Sequence, residues 1–306
     1  MISIRSLLRP SSLLLVPTLA LTSCGTTRQG LRAQDAGILC ESRLLSGNQL
    51  DIFKIDYDGS DYVNLTNDPG DDRQPAYNAN VGLIAFASNR TGDWEIWLMD
   101  RDGAISEQTT DTPGQDLHPS WGPNGARLVV ASDRDGDFDI WKMTKSGGRR
   151  LQLTDDPASD SEPSWSGVGN RIAFTSNRTG DWEIFAMDSS NGANLTRLTQ
   201  RGLWDDVDPV WSPDGTQIAF ESVRQDNSDA EIFVMNADGS GLRNLTNTPL
   251  DHEVDPAWSQ DGTKIAFARF TDNAQLDIYT VDVQGGTPRQ VTTAITDERS
   301  PAWFAR

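Results

Sequence analysis

A Pro followed two residues later by an aromatic recurs six times along this chain: Pro75/Tyr77, Pro119/Trp121, Pro163/Trp165, Pro209/Trp211, Pro256/Trp258 and Pro301/Trp303. The steps are 44, 44, 46, 47 and 45 residues. Two more marks keep the same order. An acid followed by Ile and an aromatic begins at Asp51, Glu95, Asp139, Glu183, Glu231 and Asp277. Leu-Thr or a relative falls at Leu65-Thr66, Gln108-Thr109, Leu153-Thr154, Leu198-Thr199, Leu245-Thr246 and Val291-Thr292. A fixed period of this length means one small unit per repeat, each burying its apolar face against its neighbours.

The unit reads as four short strands. In the clearest copy Pro209-Val210-Trp211 is a first strand and Ser212-Pro213-Asp214-Gly215 a type I turn. Ile218-Ala219-Phe220 is a second strand and Ile232 to Met235 a third. Asn236 to Gly239 turns the chain into an outer strand at Leu242 to Thr246. Helical periodicity is absent beyond the first residues. The N-terminal unit offers a second strand at Ile38 to Cys40, a third at Ile52-Phe53 and a fourth at Leu65, but no marked first strand. The C-terminus supplies that missing strand, Pro301 to Phe304, and stops. The expected fold is all-β: a six-bladed β-propeller of four-stranded blades over residues 36–306, its ring closed by the C-terminal strand joining the N-terminal blade.

The run Trp-Ser-Pro-Asp-Gly-x-x-Ile-Ala-Phe at Trp211 to Phe220, nearly repeated at Trp258 to Phe267, resembles the repeat of the TolB propeller family. WD repeats fit worse, since their Gly-His and Trp-Asp marks are missing. TolB carries an α/β domain before its propeller, whereas here about a dozen residues separate Cys24 from the first expected strand. Contacts made by that domain do not transfer to this chain.

Arg5 and Arg9 precede an apolar run from Ser11 to Leu21, too short to span a bilayer, so residues 1–23 read as a secretory signal. Leu21-Thr22-Ser23-Cys24 resembles the lipobox of bacterial lipoproteins, which implies lipidation of Cys24 and a short tether over 24–35. Gly25 lacks the Asp that favours inner-membrane retention in enteric bacteria, so the outer membrane is the expected location. Cys40, the other cysteine, sits in an apolar pattern and reads as core. The net charge of −19 becomes −21 once the two signal arginines are removed. That excludes nucleic acid as a natural partner, because phosphate binding needs clustered Lys and Arg. Cations and basic protein surfaces remain.

An acid lies three residues before every marker Pro: Asp72, Asp116, Asp160, Asp206, Glu253 and Glu298. On the loop entering each inner strand, the six would ring one mouth of the central channel, with Glu162, Asp208, Asp255, His118 and His252 nearby. In one reading this ring takes a cation such as Ca²⁺ or a basic loop of a partner. In the other, each acid braces its blade junction, paired with Arg90, Arg134, Arg178 or Arg224 on the same face. Asp133 to Asp139 resembles a calcium loop, but its counterparts Asn89 to Glu95 and Asn177 to Glu183 make it a variant of the ordinary hairpin. No cofactor is therefore expected.

Two His and no nucleophile elbow, zinc motif or phosphate loop leave little for an enzyme. The expected function is a non-catalytic, lipid-anchored, monomeric envelope scaffold whose acidic channel face binds a protein. The resemblance implies that the partner is Tol–Pal-like. The alternatives are a metal-dependent propeller lyase or hydrolase at the channel mouth, and a purely structural envelope component.

Overall fold

The structure is a computed structural model that describes residues 36–43, 49–104, 106–200, 202, 204–224, 230–248, 251–270, 275–293 and 296–305. The signal at 1–23, Cys24 and the tether at 24–35 lie outside the described residues.

Twenty-four strands form six antiparallel four-stranded sheets. In chain order the first blade contributes β1 (Ala36–Arg43), β2 (Leu50–Asp56) and β3 (Val63–Asn64). The second holds β4 (Asp72–Asn78), β5 (Leu83–Ser88), β6 (Glu95–Asp100) and β7 (Ser106–Gln108). The third holds β8 (Asp116–Trp121), β9 (Arg127–Ser132), β10 (Asp139–Thr144) and β11 (Leu151–Gln152). The fourth holds β12 (Asp160–Trp165), β13 (Arg171–Ser176), β14 (Glu183–Asp188) and β15 (Thr196–Arg197). The fifth holds β16 (Trp204–Trp211), β17 (Gln217–Arg224), β18 (Ala230–Asn236) and β19 (Arg243–Asn244). The sixth holds β20 (Glu253–Trp258), β21 (Lys264–Phe270), β22 (Leu276–Asp282) and β23 (Arg289–Gln290). The last strand, β24 (Glu298–Ala305), pairs with β1 and completes the first blade in the order β24-β1-β2-β3. The expected ring closure is present. Among the described residues no helix is long and apolar enough to cross a membrane.

Strand alternation sets how blades meet. Along β5, β13, β17 and β21 large residues face the preceding blade and smaller ones the next, whereas β1 turns Leu39 and β9 turns Val129 toward the next blade. Ile84 and Phe86 pack on Leu39 and Ile52 of the first blade, whereas Ala85 and Ala87 receive Trp121 and Leu128 of the third. The same division separates Ile218 and Phe220 from Ala219. Large against small fills those wedge-shaped seams. Cys40, buried and free, packs in the seam between the sixth and first blades, the core role its apolar surroundings suggested.

The second and third sequence marks interlock. The Thr hydroxyl accepts the N–H of the Ile in the third strand: Ile52 to Thr66 at 2.9 Å, Ile140 to Thr154 at 2.9 Å, Ile278 to Thr292 at 2.8 Å. It donates in turn to the acid before that Ile, as from Thr154 to Asp139 at 3.0 Å. In the second blade Thr110, not Thr109, takes this place, accepting from Ile96 at 2.7 Å. Because a side chain ends the ladder here, the outer strand of the fifth blade is Arg243–Asn244 rather than the expected Leu242 to Thr246.

Candidate functional site

The first mark, Pro-x-aromatic, builds a bulge. Each inner strand slips register across it, between Arg73 and Ala76, Leu117 and Ser120, Ser161 and Ser164, Val207 and Val210, and Val254 and Ala257. Pro has no N–H to give the ladder, and a bulge is where a strand tolerates that. The strand therefore continues past the Pro. β16 begins at Trp204, five residues earlier than the expected start at Pro209.

The residue before each Pro is left-handed in all six blades: Gln74 (φ 55), His118 (φ 51), Glu162 (φ 52), Asp208 (φ 50), Asp255 (φ 56) and Ser300 (φ 50). A non-glycine residue pays strain there, and such strain clusters at functional sites. These six residues form a ring at the floor of a funnel of about 540 Å³. The funnel wall is the six Pro and the aromatics Tyr77, Trp121, Trp165, Trp211, Trp258 and Trp303. Its rim is made by first-to-second-strand turns, including Asn78 to Asn80, Pro123, Gly167, Pro213 and Gln260.

Hydrogen bonds run round the ring from blade to blade. His118 N donates to Gln74 Oε1 at 3.0 Å, and the two side chains meet at 2.9 Å. Asp208 N donates to Glu162 Oε2 at 2.9 Å, and Ser300 N to Asp255 Oδ2 at 2.9 Å. Two second-strand acids stand behind the ring. Glu221 Oε2 accepts from Asp255 N at 3.4 Å, and Glu41 Oε1 accepts from Ser300 Oγ at 2.6 Å. Burial, then the charges of Glu162, Asp255 and Glu221, push Asp208 well above the usual carboxylate range. Burial raises Glu221 and Asp255 as well. Burial lowers His118, against the pull of Glu162 and Asp255. The ring is thus a half-buried, acid-rich floor that gains from any cation brought to it.

The structure places the six expected acids elsewhere. Asp72, Asp116, Asp160, Asp206, Glu253 and Glu298 are fully buried, at 0% exposure, within the inner strands and not on an open loop. None lines the funnel, which lies beyond the ring on the other side. Arg90 reaches Asp72 at 2.9 Å, Arg134 reaches Asp116 at 2.8 Å, and Arg178 reaches Asp160 at 2.6 Å. Arg269, from a position where other blades have Ser, reaches Glu253 at 2.9 Å. Ser222 Oγ donates to Asp206 at 2.5 Å. Among the described residues no Arg lies at such a distance from Glu298; it accepts from Thr296 at 2.5 Å, Tyr62 at 3.2 Å and Ser42 at 3.3 Å. Burial pushes Glu253 and Glu298 up to about 7. His118 does reach the funnel floor, but His252 sits against Phe270 edge-on at 6.1 Å, away from it. In the calcium-like segment Asp133 Oδ1 accepts from Gln115 N at 2.6 Å, a hairpin bond of the repeat.

Two groups among the described residues have metal-ligand spacing: His118, Glu162 and Asp208, and Asp208, Glu221 and Asp255, each with ligand atoms within 4.8 Å. Their oxygens suit a hard divalent cation, with His118 as a nitrogen donor. Reasoning from sequence had placed Glu162, Asp208 and Asp255 only as neighbours of the junction acids. The signal that singles them out is their place directly before the marker Pro, shared with Gln74 and Ser300. Glu41 and Glu221 were missed; each is a Glu in an apolar second strand where other blades have Ala or Thr.

A closed ring of four-stranded blades around a polar axial ring defines a six-bladed β-propeller. Residues 104–305 match the model of the TolB beta propeller domain, and the chain belongs to that family. Among solved structures, TolB from Acinetobacter baumannii is 22% identical with a TM-score of 0.76, covering 90% of this chain and 68% of that one. A putative TolB from Agrobacterium tumefaciens is 17% identical with a TM-score of 0.69, covering 88% and 99%. An oligogalacturonate lyase in complex with manganese is 15% identical with a TM-score of 0.56, covering 84% and 73%. At these identities the likeness is one of fold. No curated protein matches the chain in sequence.

Proposed function

We propose that this chain is a non-catalytic, monomeric binding scaffold of the cell envelope that receives a segment of a partner protein in its funnel. The observation that carries this reading is the funnel itself: about 540 Å³, apolar at the wall and acidic at the floor. A cavity of that size and character suits an inserted peptide segment with a basic group. Membership of the TolB propeller family and the −19 charge support it. The lipobox-like Leu21 to Cys24 supports attachment to the outer membrane through lipid on Cys24, and a Tol–Pal-like protein is the partner in this reading. The test is recovery of partners from envelope extract with the wild type and with Asp208→Asn/Asp255→Asn. The variant is expected to lose them; equal recovery sinks the funnel as the binding face. Cys24→Ser is expected to move the protein to the soluble fraction, and unchanged fractionation removes the anchor.

A second reading has one observation in its favour. The groups around Asp208 fit a divalent cation, as a metal-dependent lyase or hydrolase requires. Calorimetric titration with Ca²⁺ and Mn²⁺ tests it, and no heat at millimolar metal ends it.

A further inference from the structure

Across the axial ring from the funnel, a second cavity of about 100 Å³ opens near the seam where β24 joins β1. Its lining is Glu41, Arg43, Leu50, Arg73, Asp297 and Arg299. These come from β1, β2, β4, β24 and the residue directly before β24, so the pocket exists only in the closed ring. Three guanidinium groups converge here in a chain of net charge −19.

Blade construction does not call for them. Arg73 and Arg299 lie two residues before their marker Pro, where the other four blades have Leu117, Ser161, Val207 and Val254. The two Arg sit in adjacent blades and break the repeat together. They are not consumed by ion pairs either. Arg43 and Arg299 make none among the described residues, and Arg73 has only Asp71 at 3.5 Å and the face of Trp94 at 4.8 Å. The Nε atoms of Arg73 and Arg299 are buried and lack an acceptor among the described residues. The acids in the lining do not quench the site. Asp297 Oδ1 is held by Leu276 N at 3.1 Å. Glu41, 4% exposed, gives one oxygen to Ser300, and its other oxygen, Oε2, is buried without a partner.

We propose that this pocket is a binding site for a free tetrahedral oxyanion of the phosphate type, gripped by Arg43, Arg73 and Arg299. The planar guanidinium fork matches such an anion bidentately. The cavity, about 100 Å³, has room for an anion of this size. Glu41 adds a dependence on pH. Burial pushes it up to about 7, so below that pH it is protonated and sheds its repulsion of the anion. The charged groups that face it are Arg73, Arg299 and Asp255, with Arg43 beside them. Anion binding therefore tightens as pH falls from 8 to 6.

The probe is sulfate, whose charge is constant over that range, titrated calorimetrically into the full chain at fixed ionic strength. Saturable binding is expected in the wild type, weaker by at least about tenfold in Arg73→Gln/Arg299→Gln. Glu41→Gln is expected to bind at least as well as the wild type at pH 8 and to lose the pH trend. No saturable heat in folded wild type at 20 mM sulfate overturns the proposal, and so does equal binding by the double variant. Should the double variant not fold, Arg299→Lys keeps the charge without the fork. A several-fold loss supports the site, and unchanged affinity overturns it.

Discussion

At the scale of single residues, the junction acids show how charge is handled inside this protein. Asp116 is fully buried, accepts from Thr112 Oγ1 at 3.0 Å and from Arg134 at 2.8 Å, and Arg134 lies over Trp141 at 4.5 Å. Removing one partner of a buried pair strands the other, which costs about 3–5 kcal/mol. Arg134→Ala is therefore expected to lower the free energy of unfolding measured in urea by that amount, and Arg134→Met/Asp116→Asn to recover much of it. A loss under about 1 kcal/mol for Arg134→Ala would mean that Asp116 is solvated or neutral without its Arg. The sequence showed these acids at every junction and matching Arg at Arg90, Arg134, Arg178 and Arg224. It did not show which way they face. A residue three before the Pro and one directly before it lie close along the chain, yet the bulge sends them to different environments. The first is sealed between blades, and the second is turned to the axis by its left-handed backbone. Pattern alone carries no record of that backbone angle.

At the scale of elements, the inner strands carry both the wall of the funnel and the joints between blades. Three marker indoles donate to the preceding blade: Trp121 Nε1 to Ala76 O, Trp258 Nε1 to Val210 O and Trp303 Nε1 to Ala257 O, each at 3.0 Å. Trp165 and Trp211 have the same place in the repeat but no acceptor for Nε1. In those blades the preceding carbonyl belongs to Ser120 or Ser164, whose hydroxyl instead accepts the Trp backbone N–H. Trp303 and Trp211 are buried alike, at 5% and 7% exposure. Phe substitution removes similar area from each, but only at Trp303 does it orphan a carbonyl. Trp303→Phe is expected to cost about 1 kcal/mol more than Trp211→Phe in urea unfolding; equal losses would show that the indole bond contributes nothing net. The strands themselves were legible, because Ile-Ala-Phe alternation and Pro-Asp-Gly turns are local signals. Their exact extents were not. A Pro reads as an end in sequence, whereas here a bulge carries β16 past it.

At the scale of the whole molecule, ring closure and buried acid set how stability depends on pH. Glu298, in the strand that closes the ring, has its carboxyl raised from 4.5 to about 7 by burial. A carboxyl raised on folding binds its proton more tightly in the native state. Its contribution is full below about pH 4.5 and is lost as pH rises through 7. The shift corresponds to about 3 kcal/mol at most. The midpoint of thermal unfolding is expected to be higher at pH 5 than at pH 7.5, and Glu298→Gln to flatten that difference. A midpoint that rises with pH would show the buried acids to be ionised by their partners. By itself the sequence determined the period, the blade count, the order of strands and the closure by Pro301 to Phe304, because those follow from repetition and from which strand each end lacks. Only the tertiary structure decided which carboxylates are braces and which form the axial floor. It alone also brought Arg43, Arg73 and Arg299 into one pocket. Burial and the meeting of the chain's two ends are relations between blades, and no single repeat contains them.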